Sequence, residues 1–234
     1  MHEIKRAIIM AAGRGERLSP LTDRTPKPLI RVQGIRMIDS VIRALHENEI
    51  REIYVVVGYL QEAFLTLPAQ YPGLHLIENP DYDCCNNISS LYAARDYLSD
   101  CMILDGDQII RNPAVCGRFF ERSGYQAVWT EDATTEWLMQ TDEDGWVTKC
   151  SRTGGERGWQ LYSVSRWSEK DGAALKECLQ KVYREEKKTN LYWDDVAMFC
   201  YPERFHLGVF PMQKDDVVEI DSLEELCQAD PSYR

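Results

Sequence analysis

The sequence predicts an α/β protein built on one doubly wound, mostly parallel sheet with a small antiparallel β lid. Three observations carry that expectation. Short apolar runs alternate with segments whose apolar residues recur at helical spacing, several of the runs stop at a glycine or an aspartate, and beyond residue 125 the spacing changes to that of hairpins. At 234 residues the chain is long enough to bury one substantial core, so residues 1–234 are expected to form a single domain with a lid-like insertion at about 125–165.

Lys5 to Ala12 is an almost continuous apolar run ending at Gly13, as expected of a central strand covered on both faces. Ile38, Val41, Ile42 and Leu45 then share one helical face, and Ile50 to Val57 gives a second strand before Gly58, completing a β-α-β unit. The alternation continues with a strand at Leu74 to Ile77, a helix through Ile88, Leu91 and Tyr92, and a strand at Cys101 to Leu104 running into Asp105-Gly106-Asp107. In such a sheet, right-handed crossovers place ligands at the carboxyl ends of the strands.

The hairpin segments are Tyr125 to Thr130, Trp137 to Gln140, Trp146 to Cys150 and Trp159 to Ser165, with the turn former Asp142-Glu143-Asp144-Gly145 between two of them. Ser168 is placed to cap a helix whose Leu175, Cys178, Leu179 and Val182 lie on one face, and the charge run Arg184 to Lys188 reads as solvated surface. A last strand at Val217 to Ile220 runs into Asp221, where Ser222 and Glu225 have capping-box spacing.

Composition excludes several classes. The net charge of -11 argues against a nucleic-acid partner, because neutralising a phosphate backbone requires a basic face. No apolar run approaches the roughly 18 residues needed to span a bilayer, and no secretory leader is apparent, so a soluble cytoplasmic protein is expected. The 8 cysteines form no C-x-x-C pair and are expected to be reduced and mostly buried. Up to Arg36, however, eight Lys or Arg residues face three acids, so this segment carries +5 and the remainder -16. A small anionic ligand near the N-terminal segment fits that asymmetry.

Gly13-Arg14-Gly15-Glu16-Arg17-Leu18 follows the first strand, where glycines let backbone N–H groups approach phosphate oxygens. Leu18 stands where a dinucleotide fingerprint has its third glycine, and no Gly-Lys-Ser/Thr follows, so neither common glycine-loop motif is matched. Downstream, Pro20-Leu21-Thr22 and Thr25-Pro26-Lys27-Pro28-Leu29 hold Lys27 between two prolines that fix φ and stiffen its segment. Asp105 and Asp107 at one strand end, and Asp221 at another, are hard oxygen donors suited to Mg2+ beside phosphates, although Asp221 is also well placed as a helix start.

The composite A-A-G-x-G-x-R-L, P-L-T and T-P-K-P-L resembles the nucleoside-triphosphate transferases that activate sugar phosphates and phosphocholine. That resemblance implies a Rossmann-like nucleotidyltransferase fold. It also implies that Lys27 and Arg17 contact the triphosphate as the catalytic cations, that Ala11, Ala12, Gly13, Arg14, Gly15 and Asp105 frame the nucleotide, and that Asp107 and Asp221 hold Mg2+. Cys84-Cys85-Asn86-Asn87-Ile88-Ser89-Ser90-Leu91-Tyr92 resembles the Asn-Asn and Ser-Leu-Tyr segment of bacterial phosphocholine cytidylyltransferases, which implies nucleotide contacts from Asn87 and Ser90. A helix cap is the alternative for Asn87. Thr135-Glu136-Trp137 and Tyr192-Trp193-Asp194 resemble further segments of those enzymes and imply acceptor contacts, since an ammonium needs aromatic faces and a carboxylate. Core packing is the alternative for Trp137 and Trp193.

The expected reaction is attack by a phosphate or phosphonate oxygen on the α-phosphorus of CTP, with release of pyrophosphate. Phosphocholine is the leading acceptor, 2-aminoethylphosphonate the close alternative, and a non-catalytic nucleotide- or choline-sensing module the competitor from another class. The partners are thus small molecules: CTP and an amine-bearing phosphate or phosphonate. Ser151-Arg152-Thr153-Gly154-Gly155 departs from the phosphocholine pattern and is either an anion-binding turn or a plain hairpin connection.

Overall fold

The computed structural model describes residues 1–234. Its parallel core comprises β1 (Arg6–Ala11), β2 (Glu52–Val57), β3 (Leu74–Glu78) and β4 (Cys101–Asp105), joined by helices that include α1 (Met37–Glu47) and α2 (Ile88–Ala93). These strands lie in the order β3-β2-β1-β4, all parallel. The order reverses between β1 and β4, a topological switch point where the loops after the two strands diverge and leave a crevice.

β1 is central because nearly every residue in it is apolar. Ala7, Ile9 and Ala11 enter one core with Val41, Ile42 and Leu45 of α1, while Ile8, Met10 and Ala12 enter the other with Ile88 and Leu91 of α2. The side-chain period of two therefore supplies both layers from one strand.

Beyond β4 come β5 (Gln108–Ile110), then the antiparallel strands β6 (Gly124–Thr130), β7 (Leu138–Thr141), β8 (Val147–Ser151) and β9 (Gly158–Trp167), followed by α3 (Glu169–Gln180). The hairpin region is not a separate sheet. Val164 to Trp167 of β9 pair with β4, whereas Trp159 and Gln160 pair with β7, so the antiparallel strands extend the parallel sheet edge to edge. Ser168 caps α3 by accepting from Asp171 N, and Leu175, Cys178, Leu179 and Val182 are all buried as their spacing predicts.

β10 (Gly208–Pro211) pairs with β6, and β11 (Val217–Glu219) pairs antiparallel with β5 in the register Gln108 to Glu219. α4 (Leu223–Ala229) opens on the expected capping box between Ser222 and Glu225. All 8 cysteines are free, but only Cys101, Cys116 and Cys178 are buried, and Cys84 is exposed. No helix is long and apolar enough to cross a membrane.

Candidate active site

A cleft of about 850 Å³ opens at the switch point. Its walls follow from the strand pairing: β4 ends at Asp105 and β7 begins at Leu138, both against β9, and the residues of β9 in the gap between them, Leu161 and Ser163, face the opening. The loop after β1 forms one side, with Arg14, Gly15, Glu16 and Arg17. Gly15 has φ +65, and a Cβ there would sit 2.9 Å from Lys27 Cβ, so only glycine lets the loop close over the lysine. Thr22 Oγ1 donates to Gly15 O at 3.0 Å and fixes that closure. At Gly13 an added Cβ would meet no protein atom, so packing does not account for that glycine.

Lys27 is the most buried cation of the cleft, only 7% exposed. Its Nζ lies 2.6 Å from Asp107 Oδ2 and 2.9 Å from Asp221 Oδ1, and Arg17 Nη2 lies 2.9 Å from the same Asp221 oxygen. Burial opposes the ammonium, but the Asp107 and Asp221 carboxylates outweigh it and hold its pKa above the usual lysine value. Conversely, burial pushes Asp221 up, and Lys27 and Arg17 outweigh that push, leaving the carboxyl below its ordinary range. The β5–β11 ribbon brings the two aspartates together, since one precedes Gln108 and the other follows Glu219 by two residues. Glu225 Oε2 accepts from Asp221 N at 2.7 Å, so the capping box also steadies the aspartate.

Seven carboxylates but only three basic side chains line the cleft. Two of those acids are held toward the neutral form: Asp105 lies well above the normal range through burial and the neighbouring Asp107 charge, and Glu219 is raised to about 7 through burial, against the hydrogen bond from Gln108 Nε2. Even so, a polyphosphate would be repelled without a further cation. Asp107 and Asp221 fit one, because their oxygens already converge on a single ammonium and are the hard donors that Mg2+ takes. No three His, Cys, Asp or Glu side chains converge as a preformed metal cage; Asp107 and Asp221 would hold Mg2+ as two protein carboxylates, as is usual for this ion beside substrate phosphates.

The opposite wall carries Tyr82, Asp83, Cys85, Asn86 and Asn87. Arg14 is tied to it through Asp83, with Nε donating at 2.8 Å. Asn87 occupies the N-cap position of α2, but its side chain makes no capping bond: its Oδ1 accepts from Trp193 N at 2.8 Å, and the residue lines the cleft. At the far end, Glu136, Trp137 and Tyr192 line the opening, with the two rings 5.9 Å apart and nearly perpendicular.

Several expected contacts fall elsewhere. Ala11, which ends β1, and Ala12 after it bury their side chains in the two cores and do not line the cleft, so only their backbone is left for the framing role that the resemblance implies. Ser90 is also buried, accepting from Asn79 Nδ2 at 3.0 Å in a bond that pins α2 to the end of β3. Trp193 is 2% exposed and packs on Tyr125 and Trp167, so its core role prevails over an acceptor role. Asp194 lies in the same core beside the Tyr125 hydroxyl, where burial raises its pKa to about 7. Arg152 is paired within the protein, with Asp195. Sequence reading did not assign the cleft residues Tyr82, Asp83, Gln108, Leu161, Ser163 and Glu219; for Gln108 and Glu219 the signal was their place beside Asp107 and Asp221.

A family profile described as "MobA-like NTP transferase domain" matches residues 7–188. The chain is 37% identical to the 2-aminoethylphosphonate cytidylyltransferase of Lancefieldella rimae over 97% of its length and 92% of that protein's. It is 32% identical to the choline-phosphate cytidylyltransferase of Streptococcus pneumoniae, over 94% of each chain. Among solved structures, the CTP:phosphocholine cytidylyltransferase LicC from Streptococcus pneumoniae superposes with a TM-score of 0.89 at 30% identity, covering 99% of this chain and 100% of that one.

Proposed function

This chain belongs to the MobA-like NTP transferase family, and from that premise we propose that it carries CMP from CTP to 2-aminoethylphosphonate, releasing pyrophosphate. The observation that supports this acceptor is the makeup of the far end of the cleft. Of the groups expected to enclose an ammonium, Trp193 and Asp194 are in the core, which leaves two aromatic faces, Trp137 and Tyr192, beside one carboxylate, Glu136. A primary ammonium donates hydrogen bonds to such a carboxylate, whereas a trimethylammonium cannot and depends on a fuller aromatic enclosure.

The reaction asks the protein for position and charge. A phosphonate oxygen attacks the α-phosphorus of CTP in line, the new P–O bond forms as the bond to the β-phosphate oxygen breaks, and pyrophosphate carries off the electron pair. The attacking oxygen is already ionised near neutral pH, so no side chain need remove a proton. Lys27 and Arg17 are paired with Asp107 and Asp221, and in this reading they exchange those carboxylates for phosphate oxygens and offset the charge that gathers on the leaving pyrophosphate. Asp107 and Asp221 would hold Mg2+, which when bound neutralises phosphate charge. Arg14 and Gly15 line the cleft on one side and Asn87 on the other, so in this reading the glycine loop receives the phosphates and Asn87 faces them from the opposite wall.

Phosphocholine is the second reading, favoured by the near-perpendicular Trp137 and Tyr192 rings, which offer a methylated ammonium two faces at once. A pyrophosphate-release panel decides between them. CTP, UTP, ATP and dTTP are each crossed with 2-aminoethylphosphonate, phosphoethanolamine, phosphocholine and glucose 1-phosphate. The expected best pair is CTP with 2-aminoethylphosphonate; a higher kcat/KM with phosphocholine sinks the acceptor assignment, and release with no pair sinks the enzyme.

A further inference from the structure

The turn after β8 places a cation of the protein's own beside the acceptor end of the cleft. Arg152 Nε and Nη2 each lie 2.6 Å from Asp195 Oδ1. Asp195 is 2% exposed, and its second oxygen accepts from Tyr192 N at 2.9 Å, so both of its oxygens are engaged. The guanidinium lies over the face of Phe199, 3.8 Å from the ring centroid, and 6.0 Å from that of Trp137. Phe199 in turn packs edge-on to Trp137 at 5.5 Å. A buried carboxylate next to an aromatic face is the chemistry that recognises an organic cation, and here Arg152 already fills it.

We infer that Arg152 determines acceptor specificity by occupying this cation site, so that Asp195 and Phe199 are withheld from the acceptor and only Glu136, with Trp137 and Tyr192, meets its ammonium. Arg152 is a positioning residue: through Asp195 it holds the backbone of Tyr192, and through Phe199 it backs Trp137. The inference deepens the acceptor assignment above and rests on it for the identity of the favoured amine. Removing the guanidinium leaves a buried carboxylate that keeps its Tyr192 N–H bond but has no charge partner, beside an open ring face, a pairing that a quaternary ammonium satisfies without donating a hydrogen bond.

The test compares wild type, R152Q and the double variant R152Q/D195N. Pyrophosphate release gives kcat/KM for phosphocholine and for 2-aminoethylphosphonate, and calorimetry gives the affinity of choline chloride itself. R152Q is expected to raise the phosphocholine-to-aminoethylphosphonate ratio at least tenfold, mainly through KM for phosphocholine, and to tighten choline binding by a similar factor. R152Q/D195N, which deletes the freed carboxylate, is expected to return both to wild-type values. An unchanged ratio in folded R152Q overturns the inference, as does an equal change in the double variant. Should R152Q not fold, R152M, whose side chain fills the space over Phe199, takes its place, and failure of both to fold assigns Arg152 a purely structural role. If the wild type turns over neither amine, the acceptor assignment fails by itself, while the choline affinities still decide the role of Arg152.

Discussion

In the free protein the Lys27 ammonium is balanced by two carboxylates, so replacing it with alanine removes a charge from a polar cleft and not a piece of either core. Lys27→Ala is expected to lower kcat by about 10² to 10³-fold, the loss typical of one transition-state charge contact, while the melting temperature moves by a few degrees; pyrophosphate release and calorimetry give the two numbers. The aromatic residues divide the other way. Trp193→Ala empties a well-packed core site and is expected to cost about 3–5 kcal/mol in urea denaturation, with the acceptor KM of the folded enzyme little changed. Trp137→Ala is expected to raise that KM by about tenfold and to leave kcat alone, as lost ground-state binding does. Asp194 adds a pH dependence. Its folded pKa is raised to about 7 from 3.8, so the native state binds more protons than the unfolded chain across that interval and stability falls as pH rises through it. Asp194→Asn is therefore expected to flatten the decline in melting temperature between pH 5 and pH 8; an equally steep decline in the variant contradicts the assignment. At this scale the sequence was legible for the charged groups that the fold gathers, Lys27 in the turn between its two prolines and Asp107 and Asp221 beyond strand ends. It was not legible for Trp193, because an indole suits a core and a cation site equally, nor for the Arg152–Asp195 pair, whose members are 43 residues apart and meet only through the fold.

Among the elements, α4 shows how a local rule reaches the site. Ser222 accepts from Glu225 N, and Glu225 Oε2 accepts from both Ser222 N and Asp221 N. Ser222→Ala is expected to cost about 1 kcal/mol in chemical denaturation, as the loss of an N-cap does, and to raise the apparent Mg2+ requirement measured by titration, because Asp221 loses part of its support. This box was readable in advance, since capping chemistry lies within four residues. The run of buried strands was readable for a similar reason: Ile8 and Ile9 point to opposite cores, so both faces of β1 had to be apolar. The hairpins were also recognised, but their placement was not. Hairpin signals are local, whereas the choice of β4 as the neighbour of β9 is made by Val164 and Trp167 packing into the two cores that flank the sheet. For the same reason Ser90, whose hydroxyl was a reasonable ligand on the segment's resemblance alone, is spent on Asn79.

Across the whole molecule the sheet is one surface from β3 at one edge to β8 at the other. Local opening should be graded along it. The amides of Val164 to Trp167, flanked by β4 and by β6, are expected to exchange hydrogen only on global unfolding, and those of β8, an edge strand with an exposed middle, much sooner; mass-spectrometric exchange would reveal the opposite order if the lid were an independent unit. β9 has a mechanical consequence as well. One end of this ten-residue strand is laced to the nucleotide half and the other to the acceptor half, and the cleft lies over its middle. In the proposed transfer it would serve as a beam between two clamps, with the gap between the attacking oxygen and the phosphorus gauged by a fixed length of backbone and the two substrates brought to striking distance by the frame they rest on.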